Sequence, residues 1–173
     1  MDQFKEYMRY FMIFLAIILF QIQTSFAQRN FDNSRFKDVD SHVSAVRSQA
    51  IFHPHLLVKK LTENLTNDYD KVRAFYVWIA TSVDYDLIAF YHDRNDGQSV
   101  NDVLRSGKAL CSGFSLLFKY FCEQADIQAE VIEGYAKGLG YKKNQQFTIS
   151  NHAWNAVKIH GYWYLLDVTW ATG

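Results

Sequence analysis

Residues 107–124 read GKALCSGFSLLFKYFCEQ, and this segment organises the rest of the chain. Apolar side chains recur in it at helical spacing, which predicts a buried helix that begins near Cys111. The apolar stripe consists of Leu110, Phe114, Leu117, Phe118 and Phe121. A thiol at a helix N-terminus lies beside unpaired N–H groups and the positive end of the helix dipole, and both stabilise the thiolate. The segment therefore predicts a nucleophile at Cys111, whereas the structural alternative is a small buried residue, as most free cysteines are.

A β-hairpin is predicted downstream of this helix. Two runs of β-forming residues, 152–159 and 162–170, flank the dipeptide His160-Gly161. A two-residue turn that ends in glycine between such runs is typical of a hairpin. The length of the turn fixes which residues of the two strands face each other.

The predicted register places His152 and Asp167 on one face of the sheet. Trp154 faces Asp167, and His152 is the diagonal neighbour of that carboxylate, about 7–8 Å away at the backbone. A carboxylate in that place accepts a hydrogen bond from one imidazole nitrogen and leaves the other to act as a base. A histidine in a strand more often has a structural role than a catalytic one. A buried carboxylate such as that of Asp167, however, costs several kcal/mol unless it is paired. The sequence thus predicts a triad of nucleophile, base and orienting group, formed by Cys111, His152 and Asp167.

The composition is that of one globular domain. The chain has 173 residues, of which 49% are hydrophobic and 17% aromatic, which is enough for a substantial core. Its formal net charge is zero, so the charge gives no sign of a nucleic-acid partner or of an acidic membrane surface.

The first 27 residues resemble a secretory signal peptide. Lys5 and Arg9 precede an apolar run at 10–20, and a small-residue tripeptide ends at Ala27. We therefore expect cleavage after Ala27 and a secreted, periplasmic or cell-envelope location. Two acidic residues weaken the positive n-region, so an uncleaved N-terminal anchor is the alternative, although the run is short for a membrane span.

The chain has two cysteines, Cys111 and Cys122. On one helix they are separated by roughly 16 Å of rise, whereas a disulfide needs Cα atoms within about 7 Å of each other. Both are therefore expected to be unpaired, with Cys122 in the core. Two unpaired thiols are unusual in an exported protein, which favours a chemical role for one of them.

The clearest helix upstream begins at an N-cap formed by Asn67 or Asp68. Its apolar stripe consists of Val72, Phe75, Tyr76, Ile79 and Val83, and Trp78 lies off that stripe. Further helices are expected near 39–48, 56–63 and 99–105, a strand near 129–135, and a loop at 138–150.

Two segments have a superficial likeness to metal sites. The histidines of His53-Pro54-His55 lack further ligands at suitable spacing, so this tripeptide is expected to be a surface loop. Residues 93–97 resemble the start of a calcium loop, but Leu104 stands at position twelve, where a bidentate Glu is needed. Neither a metal nor a cofactor is predicted.

Four segments together resemble the transglutaminase-like superfamily, and within it the kyphoscoliosis-peptidase-type branch. They read GKALCSGF (107–114), EGYAKG (133–138), NHAWNAV (151–157) and GYWYLLDVTW (161–170). The resemblance implies an α+β, papain-like fold in which helices pack on an antiparallel sheet and Cys111 leads the central helix. It also implies the catalytic order Cys111, His152, Asp167.

The resemblance covers residues 56–173 and leaves 28–55 as an N-terminal extension. Members of the superfamily usually continue into further strands, so the domain is expected to be incomplete at its C-terminus. For the oxyanion, the backbone N–H of Cys111 is one candidate donor. In transglutaminases an upstream Trp side chain supplies the other, a role that Trp78 could take here, with core packing as the alternative.

The predicted function is that of an exported, thiol-dependent acyl-transfer enzyme acting on protein or peptide amides, either a peptidase or a transglutaminase-type cross-linker. The alternative is a catalytically inactive transglutaminase-like domain used for binding or scaffolding at the cell envelope. The expected partner is a protein or peptide substrate, with no nucleic acid, and with a membrane only through an uncleaved N-terminal segment.

Overall fold

The computed structural model describes residues 33–49, 52–92, 98–138 and 141–172. The chain divides into two compact units, Met1–Arg35 and Phe36–Gly173, and the second contains the helices and strands discussed below. The predicted signal segment at 1–27 and the segment at 93–97 that resembles a calcium loop lie outside the described residues.

The elements of the second unit are mainly helical in its first half and mainly strands in its second. The α-helices are α1 (Lys37–Arg47), α2 (Pro54–Leu61), α3 (Asp68–Ser82), α4 (Leu87–Tyr91), α5 (Val100–Ser106) and α6 (Cys111–Gln124). The strands are β1 (Asp84–Tyr85), β2 (Lys108–Ala109), β3 (Ala129–Gly134), β4 (His152–Ile159) and β5 (Tyr162–Leu166). A 3₁₀ helix follows at Thr169–Ala171. In the part of the chain that the structure describes, no helix has the length and apolar character needed to span a bilayer.

Helix α6 is the centre of the core. It contacts β3 and β4 of the sheet as well as helices α2, α3 and α5. Every residue of the predicted apolar stripe is buried, from Leu110 to Phe121. A helix with neighbours on several sides buries a broad apolar surface, which explains why this segment is so rich in phenylalanine.

Helix α3 buries its predicted stripe at Phe75, Ile79 and Val83, and it also buries a residue beyond that stripe. Asn67 caps it as expected, by accepting a hydrogen bond from the Tyr69 N–H. Val72 and Tyr76 are only half-buried, whereas Trp78, which lies off the predicted stripe, is 8% exposed. The reason is that α1 and α6 both pack on α3, so its buried surface is wider than one stripe.

The antiparallel sheet has the strand order β3-β4-β5. The predicted hairpin register is confirmed, because Ile159 pairs with Tyr162 and the ladder continues to the strand end at Leu166. The turn residues His160 and Gly161 both have positive φ, at 50° and 86°, as a type I′ turn requires. The second run was predicted to remain a strand to residue 170, but the chain leaves the sheet after Leu166.

A second, smaller ladder was not predicted. Strands β1 and β2 pair in parallel, with Tyr85 opposite Ala109. The ladder is held by hydrogen bonds from Asp84 N–H to Gly107 O and from Asp86 N–H to Ala109 O, each 2.9 Å long. Two-residue strands are too short to produce an alternating pattern, so the sequence gives no local signal for them.

The region assigned to an N-terminal extension contributes to the core. Val39, Val43 and Val46 of α1 are buried in the same cluster as α6. Helix α2 begins at Pro54 with His53 as its N-cap, so the surface loop expected there is in fact a helix start. Proline is favoured at the first position of a helix because it lacks the N–H that would be unpaired there.

Candidate active site

Cys111 is the first residue of α6 and is half-buried. No side chain caps the helix at its N-cap residue, Leu110. Among the described residues, no hydrogen bond joins the N–H groups of the first turn to a side chain at the end where the thiol lies. Such groups stabilise a thiolate and can also bind a developing oxyanion.

The approach to Cys111 is held in place by neighbouring elements. Helix α5 ends at Gly107, whose φ of 65° turns the chain into β2. The Leu110 N–H donates to Gln98 Oε1 at 2.8 Å. A Cβ added at Gly113 would lie 2.5 Å from that same Oε1 and 3.0 Å from the Ala109 Cβ, so the glycine lets α6 pack closely against both neighbours. These contacts fix the direction in which α6 starts and hence the position of the thiol.

His152 and Asp167 are in direct contact, as the sequence predicted. His152 Nε2 lies 2.6 Å from Asp167 Oδ2, and the two side chains are 9% and 25% exposed. The Trp170 N–H donates to Asp167 Oδ1 at 3.3 Å, which ties the carboxylate to the turn that follows β5. Because Nε2 is engaged by the carboxylate, Nδ1 is the imidazole nitrogen left for proton transfer.

Two tryptophans hold the His152 ring. The ring stacks on Trp154 at a centroid distance of 5.9 Å and on Trp170 at 5.3 Å. Trp154 in turn lies over Gly134 of β3, where an added Cβ would be 2.5 Å from the indole. The imidazole is therefore oriented by aromatic contacts as well as by Asp167.

Two adjoining cavities meet at His152, and the walls of both include Tyr85. One, of about 250 Å³, is lined by Cys111, His152 and Glu133 among others. The other, of about 330 Å³, includes His152 and Trp170. Among the described contacts, no hydrogen bond joins the Cys111 sulfur to the His152 ring, so the predicted sulfur–imidazole distance of 3–4 Å stays a prediction.

The sequence comparisons identify the family of the chain. The family model of the transglutaminase-like superfamily matches residues 56–168. The chain belongs to the transglutaminase-like superfamily. It is 33% identical to human kyphoscoliosis peptidase over 152 residues, which cover 87% of this chain and 23% of that protein. It is 30% identical to Hillarin of Drosophila melanogaster over 158 residues, which cover 90% of this chain and 18% of Hillarin. The chain thus spans about a quarter or less of the length of these relatives.

Solved structures share the transglutaminase-like fold. A candidate cysteine protease from Cytophaga hutchinsonii matches with a TM-score of 0.55 and 26% identity, over 68% of this chain and 37% of that one. A candidate protease from Parabacteroides distasonis matches with a TM-score of 0.54 and 15% identity, over 74% of this chain and 26% of that one, and this likeness concerns the fold alone. The predicted α+β fold is confirmed, and the chain has the fold of a thiol-dependent enzyme family.

Trp78 does not lie where an oxyanion donor of the transglutaminase-like site would be needed. Its ring packs 5.7 Å from that of Phe121, which is ten residues beyond Cys111 along α6, roughly 15 Å of helical rise. It lines a separate cavity with Arg47 and Ser82. These contacts favour the core-packing alternative for Trp78 over the oxyanion role, because α3 places this indole against the C-terminal part of α6.

The two cysteines have different environments, and both are free. Cys122 is fully buried among the core aromatics, and burial raises the pKa of its thiol, with a smaller contribution from the charge of Glu123. Cys111 lines a cavity. Only Cys111 can therefore meet a substrate.

Asn155 connects the helix that carries Cys111 to the sheet that carries His152. Its side chain is fully buried, and Nδ2 donates to Ser115 O at 3.0 Å and to Glu130 O at 3.2 Å. The Asn155 Oδ1 has no hydrogen-bond partner among the residues that the structure describes. A buried amide in this place ties α6 to the sheet, and no local sequence pattern singles it out.

Proposed function

We propose that this transglutaminase-like domain is a thiol-dependent acyl-transfer enzyme that acts on protein or peptide amides. Cys111 is the nucleophile, His152 is the base and Asp167 orients the imidazole. The observation that carries the proposal is the 2.6 Å contact between His152 and Asp167 at a cavity that Cys111 also lines. Because this chain covers only a part of its curated relatives, the activity is proposed from its own site geometry.

In the proposed reaction, His152 Nδ1 removes the proton of the Cys111 thiol. The sulfur then attacks the amide carbonyl, a sulfur–carbon bond forms, and the carbonyl π pair moves onto oxygen. When that pair returns, the carbon–nitrogen bond breaks and the leaving amine takes the proton from His152. A thioester remains, which water converts to an acid or an amine converts to a new amide.

A non-enzymatic binding domain is the second candidate. The observation that favours it is the absence, among the described contacts, of a hydrogen bond between Cys111 and His152. Catalytic hydrogen bonds are often long without substrate and tighten in the complex, so this geometry fits the enzyme as well.

Trapping the thioester separates the two candidates. The full chain is incubated with p-nitrophenyl acetate, quenched in acid and digested, and the acetyl group is located by mass spectrometry. We expect acetylation at Cys111, lost on addition of hydroxylamine, and none at Cys122. Acetylation of Cys111 at a rate no greater than that of the same thiol in the urea-unfolded chain contradicts catalysis and favours the binding domain.

We also propose that the chain is exported and that residues 1–27 are its signal peptide. Lys5 and Arg9 before the apolar run at 10–20, and the small residue Ala27, support this. N-terminal sequencing of the protein from the cell envelope or the medium is expected to start at Gln28. A product retained in the cytoplasm with Met1 as its first residue contradicts export.

A further inference from the structure

Acyl transfer at Cys111 requires two hydrogen-bond donors for the oxyanion, and only one is accounted for. The Cys111 N–H at the open end of α6 is the first donor. Trp78 packs against Phe121 and does not line the cavity that contains Cys111. The need for a second donor rests on the proposed function, because an oxyanion forms at Cys111 only if the site carries out acyl transfer.

The backbone of Tyr85 is fixed relative to Cys111. Tyr85 lies in β1 and faces Ala109 of β2, two residues before the nucleophile. The hydrogen bonds on either side of it, from Asp84 to Gly107 and from Asp86 to Ala109, are both 2.9 Å long. Strand β1 is therefore hydrogen-bonded to the segment that leads directly into α6.

The Tyr85 ring is fixed as well. It lies parallel to Phe114 of α6, with an interplanar angle of 9° and a centroid distance of 6.5 Å, and contacts Phe90 at 6.0 Å. Phe114 is fully buried, so one partner of the ring belongs to the core. Because the ring is held on two sides, the Tyr85 hydroxyl oxygen has little conformational freedom.

The Tyr85 hydroxyl is an unused donor. Tyr85 lines both cavities that meet at His152, one of which also contains Cys111. None of the hydrogen bonds between described residues involves this hydroxyl. Burial, followed by the charge of Cys111, raises the pKa of Tyr85 to about 12, so the group stays protonated at any pH at which the enzyme would work.

We propose that Tyr85 is a further catalytic residue, whose hydroxyl donates the second hydrogen bond to the oxyanion formed at Cys111. When the sulfur attacks and the carbonyl pair moves to oxygen, the Cys111 N–H and the Tyr85 O–H both point at that oxygen. Neither donor transfers its proton. The pair returns to re-form the carbonyl as the amine leaves with the proton from His152, and Tyr85 is unchanged.

The test compares two reactions of the same thiol in the full chain. Attack on p-nitrophenyl acetate passes through an oxyanion, whereas alkylation by iodoacetamide does not. In Tyr85→Phe the ring and its packing are kept and only the hydroxyl is lost. Removing one oxyanion donor typically slows acyl transfer about 10²–10³-fold on demanding substrates, so we expect acylation of Cys111 to fall at least about tenfold while alkylation is unchanged.

Tyr91→Phe is the matched control, because it removes the hydroxyl of a tyrosine on α4 that is 70% exposed and lines neither cavity at His152. It should change neither rate. Tyr85→Phe overturns the proposal if acylation is as fast as in the wild type, or if acylation and alkylation fall by the same factor. If wild-type Cys111 is acylated no faster than the same thiol in the unfolded chain, the proposed function fails as well, which is a distinct result.

Discussion

The two ends of helix α6 carry the same residue type in opposite environments. At its first position, Cys111 is half-buried, faces a cavity and has uncapped N–H groups beside it. Near its last turn, Cys122 is fully buried and in the same core cluster as Phe118 and Phe121. One thiol is open to a cavity, as the proposed nucleophile must be, and the other is part of the core packing.

The comparison shows how one helix serves both stability and chemistry. The phenylalanine-rich part of α6 fixes the helix between α3 and the sheet, so its N-terminus can remain open without fraying. Asn155 adds a polar tie between α6 and the strand that carries His152. The buried end therefore anchors the helix whose open end lines the same cavity as His152.

The largest expected effect is that of Cys111→Ala. It should abolish both hydrolysis of casein and incorporation of a fluorescent amine into casein, because the proposed thioester can form only on the Cys111 sulfur. The melting temperature should stay close to that of the wild type, since the side chain is not in the core. Activity retained by the variant, on either assay, shows that Cys111 is not the nucleophile.

Asp167→Asn should have the next largest effect. The amide keeps the shape but favours the wrong imidazole tautomer, and a comparable change in a serine triad lowers kcat about 10⁴-fold. Steady-state kinetics with the same casein assays measure the loss in kcat. The reactivity of Cys122 should be the same as in the wild type. A loss of less than about tenfold would assign Asp167 a structural role only.

Gly134→Ala tests the support of the His152 ring. The new Cβ would lie 2.5 Å from the Trp154 indole, which stacks on His152. Overpacking of this kind typically costs about 1–3 kcal/mol, which we expect to see as a lower free energy of unfolding in urea. Gly138→Ala is the control, because its Cβ would have an ordinary contact at 3.9 Å from Trp170. If Gly134→Ala and Gly138→Ala have the same free energy of unfolding, the close contact between Gly134 and Trp154 does not contribute to stability as proposed.

Cys122→Ala should have the smallest effect and only on stability. Loss of a buried sulfur leaves a small cavity, and we expect a cost of roughly 1–2 kcal/mol. Acyl transfer per folded molecule should equal that of the wild type. A change in the catalytic rate at constant stability would mean that the buried end of α6 is coupled to the chemistry.

The features predicted correctly from the sequence are those with a local pattern. The apolar stripe of α6 has helical spacing, and the His160-Gly161 turn fixes the register that brings His152 to Asp167. Tyr85 was missed because its two-residue strand pairs with a segment more than twenty residues away, which no periodicity reveals. Trp78 is buried although it lies off the predicted stripe, in agreement with the core-packing alternative, because two helices pack on α3.

The most direct test of the account is the alkylation rate of each cysteine by iodoacetamide at neutral pH. The rates at Cys111 and Cys122 are measured together by mass spectrometry, in the native chain and in the urea-unfolded chain as the reference. We predict that native Cys111 reacts faster than in the unfolded chain and that native Cys122 hardly reacts, while the two rates converge on unfolding. Native Cys111 reacting no faster than unfolded Cys111 would contradict an activated thiol.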